Sequence, residues 1–287
     1  MKIFNVNANH LSQKKILTKL VSKFNADGVV ILNNFHSKKK CNKYKKLLNF
    51  YYKKYNKFIY KEKKTQKFSG LSGAKMVTNL HNKNVQFLKF LDNKLIIKIV
   101  EKLLQQGSYM NKDPIICQAL TARSPLEKSD QQQLHNDARI VGSKYPLVVQ
   151  VMFIIDDFTK ENGATNFFLG SQKLLKFPKN NYHYKNLQTA EAKAGSVIIF
   201  NGATWHGSSK PKRIVGDRWA VVTRYSRWFL KPTYNFLFNT PINIFNKMNK
   251  AQKDLLGFRY FPPLDEFSGN KMIHKKYFIP KNYKLPQ

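Results

Sequence analysis

The first third of the chain carries its apolar residues at helical spacing. From Leu11 to Phe24 this spacing predicts an amphipathic helix. The turn sequence Asn25-Ala26-Asp27-Gly28 then leads into a short apolar run, Val29 to Leu32, which predicts a strand. Helical spacing returns in a long helix that begins near Ser37, a suitable N-cap, and in a further helix from Asn84 to Gln106.

The long helix after Ser37 has two different faces. Cys41, Leu48 and several tyrosines share one face, and lysines fill the other. Interleaved lysines and rings, as between Lys38 and Phe68, also occur on nucleic-acid-binding surfaces, where the cations contact phosphates and the rings stack on bases. Because the rings fall at helical spacing, we favour an ordinary helix whose aromatic face packs on the core while its lysines stay solvated.

From Pro114 onward, short β-like runs between turn signals replace the helical pattern. An Asn-Gly pair at 162–163 predicts a turn between two of these runs. Many short strands separated by turns are typical of a barrel or a sandwich. Past Phe229 the chain is rich in Pro and Asn, with a short helix predicted near 249–256. The predicted strands are Ile115 to Ala122, Leu147 to Ile155, Thr165 to Leu169, Ser196 to Phe200 and Trp219 to Ser226.

The length of 287 residues suits one domain. We predict a mostly helical part at 1–113, a β core at 114–230 and a covering tail at 231–287. The sequence contains no uncharged apolar run long enough to predict a membrane span, and residues 1–20 lack the pattern of a secretory signal. The two cysteines, Cys41 and Cys117, are therefore expected to be reduced thiols in a cytoplasmic protein.

The net charge of +35 changes the list of expected partners. Such a charge attracts nucleic acid, anionic lipid, an acidic carrier protein or a carboxylated or phosphorylated metabolite. Only seven of the 51 cationic residues are arginine, which is the residue favoured for specific phosphate and base recognition. A Lys- and Asn-rich composition is equally consistent with a compositional bias of the source.

Two polar segments carry the candidate chemistry. In a strand, His135 and Asp137 point to the same side while Asn136 faces away. The strand that ends at Phe200 leads into a loop that brings His206 to the same place. Two imidazoles and one carboxylate are the ligands of a facial-triad iron(II) site, which leaves positions open for a bidentate cosubstrate and dioxygen. Zinc hydrolases use a similar set, and the alternative for the His-x-Asp motif alone is a solvent-facing polar pair.

Arg218, directly before the last predicted strand, is a candidate to bind one carboxylate of a dicarboxylate cosubstrate. Arg218 follows His206 by twelve residues and is able to hold a carboxylate bidentately. Ser208 offers a hydroxyl donor to the same carboxylate. The alternative for Arg218 is a surface ion pair with its neighbour Asp217.

In order and spacing these segments resemble the phytanoyl-CoA dioxygenase family. The resemblance spans about residues 114–230, and the sequence at 27–32 is also similar to the family's N-terminal part. The matching segments are His135-Asn136-Asp137, Asp156-Asp157-Phe158-Thr159-Lys160-Glu161-Asn162-Gly163-Ala164-Thr165, Leu169-Gly170-Ser171-Gln172-Lys173, Ala194-Gly195-Ser196-Val197-Ile198-Ile199-Phe200, Trp205-His206-Gly207-Ser208 and Arg218.

The resemblance implies a mainly β protein with flanking helices around a double-stranded β-helix core. It also implies iron(II), 2-oxoglutarate and dioxygen. His135, Asp137 and His206 match the family's metal ligands, and Arg218 and Ser208 match the groups that hold the distal carboxylate of 2-oxoglutarate.

Two further glutamines bear on the resemblance. Gln118 matches a glutamine that contacts cosubstrate or substrate in some members, although a strand glutamine also serves the ladder alone. Gln172 departs from the family pattern, in which a histidine commonly follows Gly-Ser. Because that motif looks structural, we expect the change to leave catalysis intact.

The implied reaction is hydroxylation of a small organic substrate, with release of succinate and CO2. The resemblance says little about the substrate, but the positive charge of the chain favours an anionic or carrier-bound one. Halogenases that resemble this family replace the metal-binding carboxylate with a small residue, so Asp137 favours hydroxylation, desaturation or ring closure. Arg139, Arg224 and Arg227 are candidates for substrate contact, and surface pairing or packing is as strongly expected for each.

Two other functions stay open. The net charge and the spacing of Arg218 and Arg224 resemble nucleic-acid demethylases of the same oxygenase superfamily. The segment at 161–173 and the short gap from His206 to Arg218 favour the phytanoyl-CoA group instead. A β-barrel binding protein without catalysis is disfavoured because all of the predicted ligands are present.

Overall fold

The computed structural model describes residues 2–61, 74–109, 113–126, 130–179, 184–212, 216–262, 267, 274–281 and 283–286. Residues 62–68 of the lysine- and aromatic-rich stretch, and the side chains of residues 57–61, lie outside the described part. The helices are α1 (Lys14–Asp27), α2 (Lys38–Lys61), α3 (Lys94–Leu104), α4 (Phe236–Asn239), α5 (Ile242–Phe245) and α6 (Lys250–Leu255).

The helix predicted from Asn84 to Gln106 is wrong in its first half. A 3₁₀ helix spans Val85–Phe90, and α3 begins only at Lys94. The reason is local, because Asn93 acts as an N-cap whose side chain accepts hydrogen bonds from the backbone of Leu95 and Ile96.

The five strands predicted between 114 and 230 are confirmed with small changes of their ends, and so is the strand at Val29. Four further strands are too short for a sequence pattern to reveal. The strands are β1 (Phe4–Asn7), β2 (Val29–Asn33), β3 (Ala74–Val77), β4 (Ile115–Pro125), β5 (Val148–Ile154), β6 (Thr165–Phe167), β7 (Gln188–Thr189), β8 (Val197–Asn201), β9 (His206–Ser208) and β10 (Ala220–Arg227).

The strands form two sheets, as expected for the jelly-roll core of a mainly β protein with flanking helices. The large sheet has the order β1-β2-β8-β5-β10-β4-β3, and the small sheet has the order β7-β6-β9. Only β1 and β2 run parallel among the paired strands of the described residues. Since β1, β2 and β3 precede residue 114, the mostly helical N-terminal part also contributes to the large sheet.

Each face of the large sheet covers a different core. In β5, Val149, Val151 and Phe153 point toward the helices and join the larger core. Met152 and Ile154 alternate with them and join a second core that also contains residues of the small sheet. Both faces are therefore buried, and the space between the two sheets forms the inside of the barrel.

The turn at Asn162-Gly163 is present, but the strands on either side of it do not pair. The chain leaves β5 in the large sheet and enters β6 in the small one. The Asn162 side chain accepts from the backbone N–H of Thr159 and donates to the carbonyl of Asp157, and Gly163 has a φ of +80°. The turn thus passes the chain between sheets instead of closing a hairpin.

The sequence predicts no membrane span and two reduced cysteines, and the structure bears on both points. Within the described ranges, none of the helices combines the length and the apolar character that a bilayer crossing requires. Cys41 and Cys117 are both buried and neither forms a disulfide.

A buried histidine fixes the C-terminal segment to the rest of the chain. His81 Nε2 lies 2.9 Å from Asn239 Oδ1, and the His81 ring packs on Phe236 with 4.7 Å between centroids. Burial lowers the pKa of His81 to about 3, against a smaller raising effect of the hydrogen bond to Asn239. The folded protein therefore holds this imidazole neutral.

We expect His81 to make the fold sensitive to acid. Between pH 6.5 and 3 the unfolded chain binds a proton at this site that the folded chain excludes, so stability is complete above pH 6.5 and falls as the pH drops. The free energy of unfolding should lose roughly 2–3 kcal/mol more between pH 7 and 4.5 in the wild type than in His81→Gln. Urea unfolding at both pH values measures this difference, and equal losses in the two proteins would refute it.

Candidate metal centre and cosubstrate site

Three side chains converge where β9 begins. His206 Nε2 lies 3.4 Å from Asp137 Oδ2, and His135 Nε2 lies 3.8 Å from Asp137 Oδ1. The ligand atoms of the three residues all lie within 4.8 Å of one another. Two backbone hydrogen bonds of 3.0 Å join His135 and His206 as an isolated antiparallel bridge. The structure therefore brings the residues of both polar segments to one point.

The prediction that His135 and Asp137 share a strand is wrong. Apart from the bridge at His135, the segment around them is a loop. The Asn136 side chain closes a bend by accepting from the Arg139 N–H and donating to the Ile140 carbonyl. The Asp137 N–H binds the carbonyl of Gly202 at 2.7 Å. A side-chain-capped bend, and not strand alternation, turns the carboxylate toward the two imidazoles.

Both imidazoles have the tautomer that a metal requires. Nδ1 of His135 lies 3.1 Å from the Gln133 carbonyl, and Nδ1 of His206 lies 2.9 Å from the Thr204 carbonyl. Because a carbonyl only accepts, each Nδ1 carries the proton and each Nε2 keeps its lone pair. Backbone carbonyls thus orient both rings, as is usual for metal-binding histidines.

The protonation states also suit a divalent cation. Burial and the neighbouring His206 lower the pKa of His135 to about 4. Burial acts to raise the pKa of Asp137, but the close contact with His206 and the positive charge of Arg224 hold it well below its ordinary value. A neutral imidazole and an ionised carboxylate are the ligand forms that bind metal at neutral pH. The residues present therefore fit iron(II).

Two residues hold the Asp137 carboxylate from the large sheet. Gln150 donates from Nε2 to Asp137 Oδ2, and Arg224 lies with a terminal guanidinium nitrogen 3.2 Å from Asp137 Oδ1. The sequence makes Arg224 a candidate for substrate contact, but in the structure this guanidinium pairs with the Asp137 carboxylate. Sequence reasoning missed Gln150, although a single polar residue in the otherwise apolar strand β5 was a usable signal.

Removing the Gln150 amide is expected to weaken metal binding. Gln150→Leu removes one of the two contacts that hold the Asp137 carboxylate, and loss of such a supporting contact typically costs about 10–100-fold in metal affinity. Calorimetric titration with iron(II) under anaerobic conditions measures the change. Met152→Leu, on the same face of β5, is the control that should keep wild-type affinity. An unchanged affinity in Gln150→Leu would remove Gln150 from the site.

Two neighbouring contacts fix the position of His206 relative to the other two ligands. Ser171 Oγ accepts a 2.8 Å hydrogen bond from the Trp205 N–H and donates to the Phe168 carbonyl. A Cβ on Gly207 would lie 2.6 Å from the Gln132 carbonyl, so a larger residue would push away the segment that leads to His135. The Gly-Ser motif and the glycine after the histidine therefore both serve to place the ligand.

The neighbouring Gln172 has a structural role in the fold. Its amide donates to the backbone carbonyls of Asn25 and Ala26, which are left free at the C-terminal end of α1. The amide thus caps a helix, in agreement with the structural interpretation of this motif.

Arg218 is buried in the barrel and forms no ion pair with the residues that the structure describes. Only 7% of its surface is exposed, and its guanidinium lies 4.0 Å from the ring centroid of Phe158. Within the described part of the chain, its Nε has no hydrogen-bond partner. Burial, with a further contribution from Arg123, lowers the pKa of Arg218 to about 9. An unpaired buried guanidinium fits a carboxylate ligand, which would satisfy its donors.

The suggested pairing of Arg218 with Asp217 is wrong. Asp217 instead lies 2.6 Å from Lys75 Nζ and accepts a hydrogen bond from Asn49. This leaves the Arg218 side chain directed into the barrel, away from the surface.

Ser208 and Gln118 have different surroundings. Ser208 follows His206 by two residues in β9 and so shares its side of the small sheet. Gln118 lies where the pairing of β4 with β10 is irregular, and its amide donates to the carbonyl of Lys231 in the C-terminal segment. In the described contacts Gln118 thus holds the covering tail, and its contact with a cosubstrate stays a prediction.

The two remaining candidate arginines differ in exposure and contacts. Arg139 is exposed, with a φ of +58° at the bend beside Asp137. Arg227 donates to the carbonyls of Pro146 and Gln106 and so links β10 to the loops beside it. A role of either in substrate contact stays a prediction.

Comparison with known proteins gives this site a family. The family model described as phytanoyl-CoA dioxygenase matches residues 24–212. An uncharacterised protein of Mycobacterium bovis is 26% identical over 66% of this chain and 71% of its own length. The dioxygenase af480 of Aspergillus fumigatus is 26% identical over 52% of this chain and 49% of its own length.

Solved structures show the same fold. HygX from Streptomyces hygroscopicus, crystallised with nickel and 2-oxoglutarate bound, has a TM-score of 0.61 at 14% identity and covers 77% of this chain and 91% of its own. A second crystal structure of HygX has iron bound and a TM-score of 0.57.

Proposed function

Since the chain belongs to the phytanoyl-CoA dioxygenase family, it is a dioxygenase that uses iron(II), 2-oxoglutarate and dioxygen, and we propose that it hydroxylates a small anionic or carrier-bound organic substrate. The products would be succinate, CO2 and the hydroxylated molecule. The observation that carries this proposal is the convergence of His135, Asp137 and His206, whose ligand atoms lie within 4.8 Å of one another while both Nδ1 atoms bind backbone carbonyls.

The proposed roles of the residues follow from their contacts. His135, Asp137 and His206 would hold iron(II), which, when bound with 2-oxoglutarate, supplies the activation of dioxygen that hydroxylation requires. Gln150 and Arg224 keep the carboxylate directed at the metal position. Asp137 also fills the ligand position that a halide would need, which favours hydroxylation, desaturation or ring closure over halogenation.

Arg218 supplies the cation for the distal carboxylate of 2-oxoglutarate. Its guanidinium is already fixed against Phe158, so little side-chain ordering is lost when a carboxylate binds. The low exposure of Arg218 excludes water from the resulting ion pair, which strengthens it. Ser208 would add a hydroxyl donor to the same carboxylate.

The proposed function is tested by a substrate screen with iron(II) and 2-oxoglutarate. Carboxylated, phosphorylated and carrier-bound candidates are scored by succinate release and by the mass of the product. We expect one class to raise succinate release above the substrate-free rate and to gain the mass of one oxygen atom. Succinate release without any oxidised product across anionic, neutral and cationic candidates would contradict hydroxylation of this substrate class.

A further inference from the structure

Arg123 shares the inside of the barrel with the arginines already described. Leu120 and Ala122 of β4 belong to the core beneath the helices, so strand alternation turns Arg123 to the opposite, inner face. In the register with β10 it lies opposite Ala220. Arg224, four residues later, lies on the same face of β10, and Arg218 precedes the strand by two residues and is also buried.

Arg123 lies within electrostatic reach of both ends of the site. Burial lowers the pKa of its guanidinium, and the negative charge of Asp137 acts in the opposite direction. Its own charge contributes, after burial, to the lowered pKa of Arg218. Nevertheless, in the described residues no ion pair or side-chain hydrogen bond involves Arg123, because Asp137 pairs with Arg224. Asp156, the other nearby carboxylate, pairs with Lys45 at 2.7 Å.

The charges inside the barrel do not balance when the cosubstrate is bound. The guanidinium groups of Arg123, Arg218 and Arg224 and a divalent metal supply five positive charges. Asp137 and the two carboxylates of 2-oxoglutarate supply three negative ones. Two positive charges remain in a poorly hydrated space, where the binding of a further anion is favoured.

The lysine-rich composition does not explain this surplus. A bias toward lysine predicts lysine at cationic positions, but three of the seven arginines lie inside the barrel. The lysine surface is elsewhere, since α2 forms a groove of about 650 Å³ lined by Lys38, Lys39, Asn42, Lys43, Lys46 and Leu47. The inner side of α2 packs on the core beneath the helices, across the large sheet from the metal centre.

Resting on the proposed function, we propose that Arg123 binds an anionic group of the primary substrate, a carboxylate or a phosphate, and thereby selects anionic substrates. Arg218 already serves the distal carboxylate of the cosubstrate, and Arg224 already serves Asp137. Arg123 is the guanidinium left to receive the substrate. A planar, fixed guanidinium binds either anion through two parallel hydrogen bonds.

The test uses the full chain loaded with nickel and 2-oxoglutarate, the pair seen in HygX crystals. Ligand-observed NMR titrations measure the affinity of three probes, which are propionate, inorganic phosphate and the neutral propionamide. We expect at least one anion to bind better than propionamide, and Arg123→Met to weaken that binding about tenfold or more. Arg123→Lys should retain part of it, and Lys53→Met, which removes an exposed cation on α2, should match the wild type. The anion that responds identifies the carboxylate or the phosphate class.

The affinity of 2-oxoglutarate separates the possible failures. It should be equal in Arg123→Met and the wild type, which also shows that the variant is folded. If 2-oxoglutarate binds but neither anion does, or if Arg123→Met leaves anion binding unchanged, the role of Arg123 is refuted and the proposed function stands. A tenfold loss of 2-oxoglutarate affinity in Arg123→Met would assign Arg123 to the cosubstrate and also refute it. If the nickel-loaded wild type does not bind 2-oxoglutarate, the proposed function fails and the role of Arg123 fails with it.

Discussion

Asp137→Ala is expected to reduce iron-dependent turnover of 2-oxoglutarate to the level measured without iron. The change removes the single anionic ligand and leaves two imidazoles, whose Nε2 atoms lie 3.4 and 3.8 Å from the lost carboxylate oxygens. It also leaves Arg224 beside the metal position without its counter-ion, and this cation would repel an incoming metal. Succinate release with and without added iron(II) measures the effect.

The control for this variant is another aspartate. Asp130 is exposed and lies 3.4 Å from Lys210 Nζ, and such surface pairs contribute little to stability. Asp130→Ala should therefore keep wild-type turnover. Turnover that persists in Asp137→Ala, or that is independent of iron in the wild type, would remove Asp137 from the metal site.

Arg218→Met is expected to have the second-largest effect, on the KM for 2-oxoglutarate. Truncating one partner of a buried, hydrogen-bonded charge pair costs about 2–5 kcal/mol, which is roughly 30- to several-thousand-fold in affinity. Metal affinity should stay unchanged, because no ion pair or hydrogen bond joins the Arg218 side chain to the metal ligands in the described residues. Calorimetric titrations with the metal and with 2-oxoglutarate separate the two quantities.

The stability of the same variant distinguishes cosubstrate binding from a purely structural role. In the absence of ligand, Arg218 is a buried cation against Phe158 that pairs with no carboxylate of the described residues, so an apolar side chain of similar length should raise the melting temperature of the free protein. Arg218→Lys keeps the charge but loses the planar fork, and its KM should be intermediate. A variant that melts earlier and binds 2-oxoglutarate normally would show that Arg218 serves only the fold.

The parts of the fold that the sequence predicts well are those with a strong periodic pattern. β5 is apolar at every position except Gln150, and such a run is recognisable because both of its faces are buried. By contrast, β9 is three residues long and contains His206 and Gly207, so it has no apolar alternation to detect. Its existence depends on pairing with β6, a contact between segments that are distant in the sequence.

In the candidate site, too, the sequence reveals which residues take part but not how the fold brings them together. His135, Asp137 and His206 were identifiable from residue type, order and resemblance, and the structure brings them together. How they come together was not predictable, because the bend depends on the Asn136 side chain, which accepts from the Arg139 N–H and donates to the Ile140 carbonyl. Arg123 was overlooked because its importance arises from cross-strand register, which no single segment reveals.

The most direct measurement of the central claim is an anaerobic titration of the iron(II)-loaded protein with 2-oxoglutarate, followed by visible absorption. Chelation of iron(II) by the 2-oxo acid should produce a charge-transfer band that saturates at one equivalent. The band should be absent in Asp137→Ala and should require much more 2-oxoglutarate in Arg218→Met. A wild-type protein that binds no iron, or that binds iron without developing the band, would contradict the assignment of this site to iron and 2-oxoglutarate.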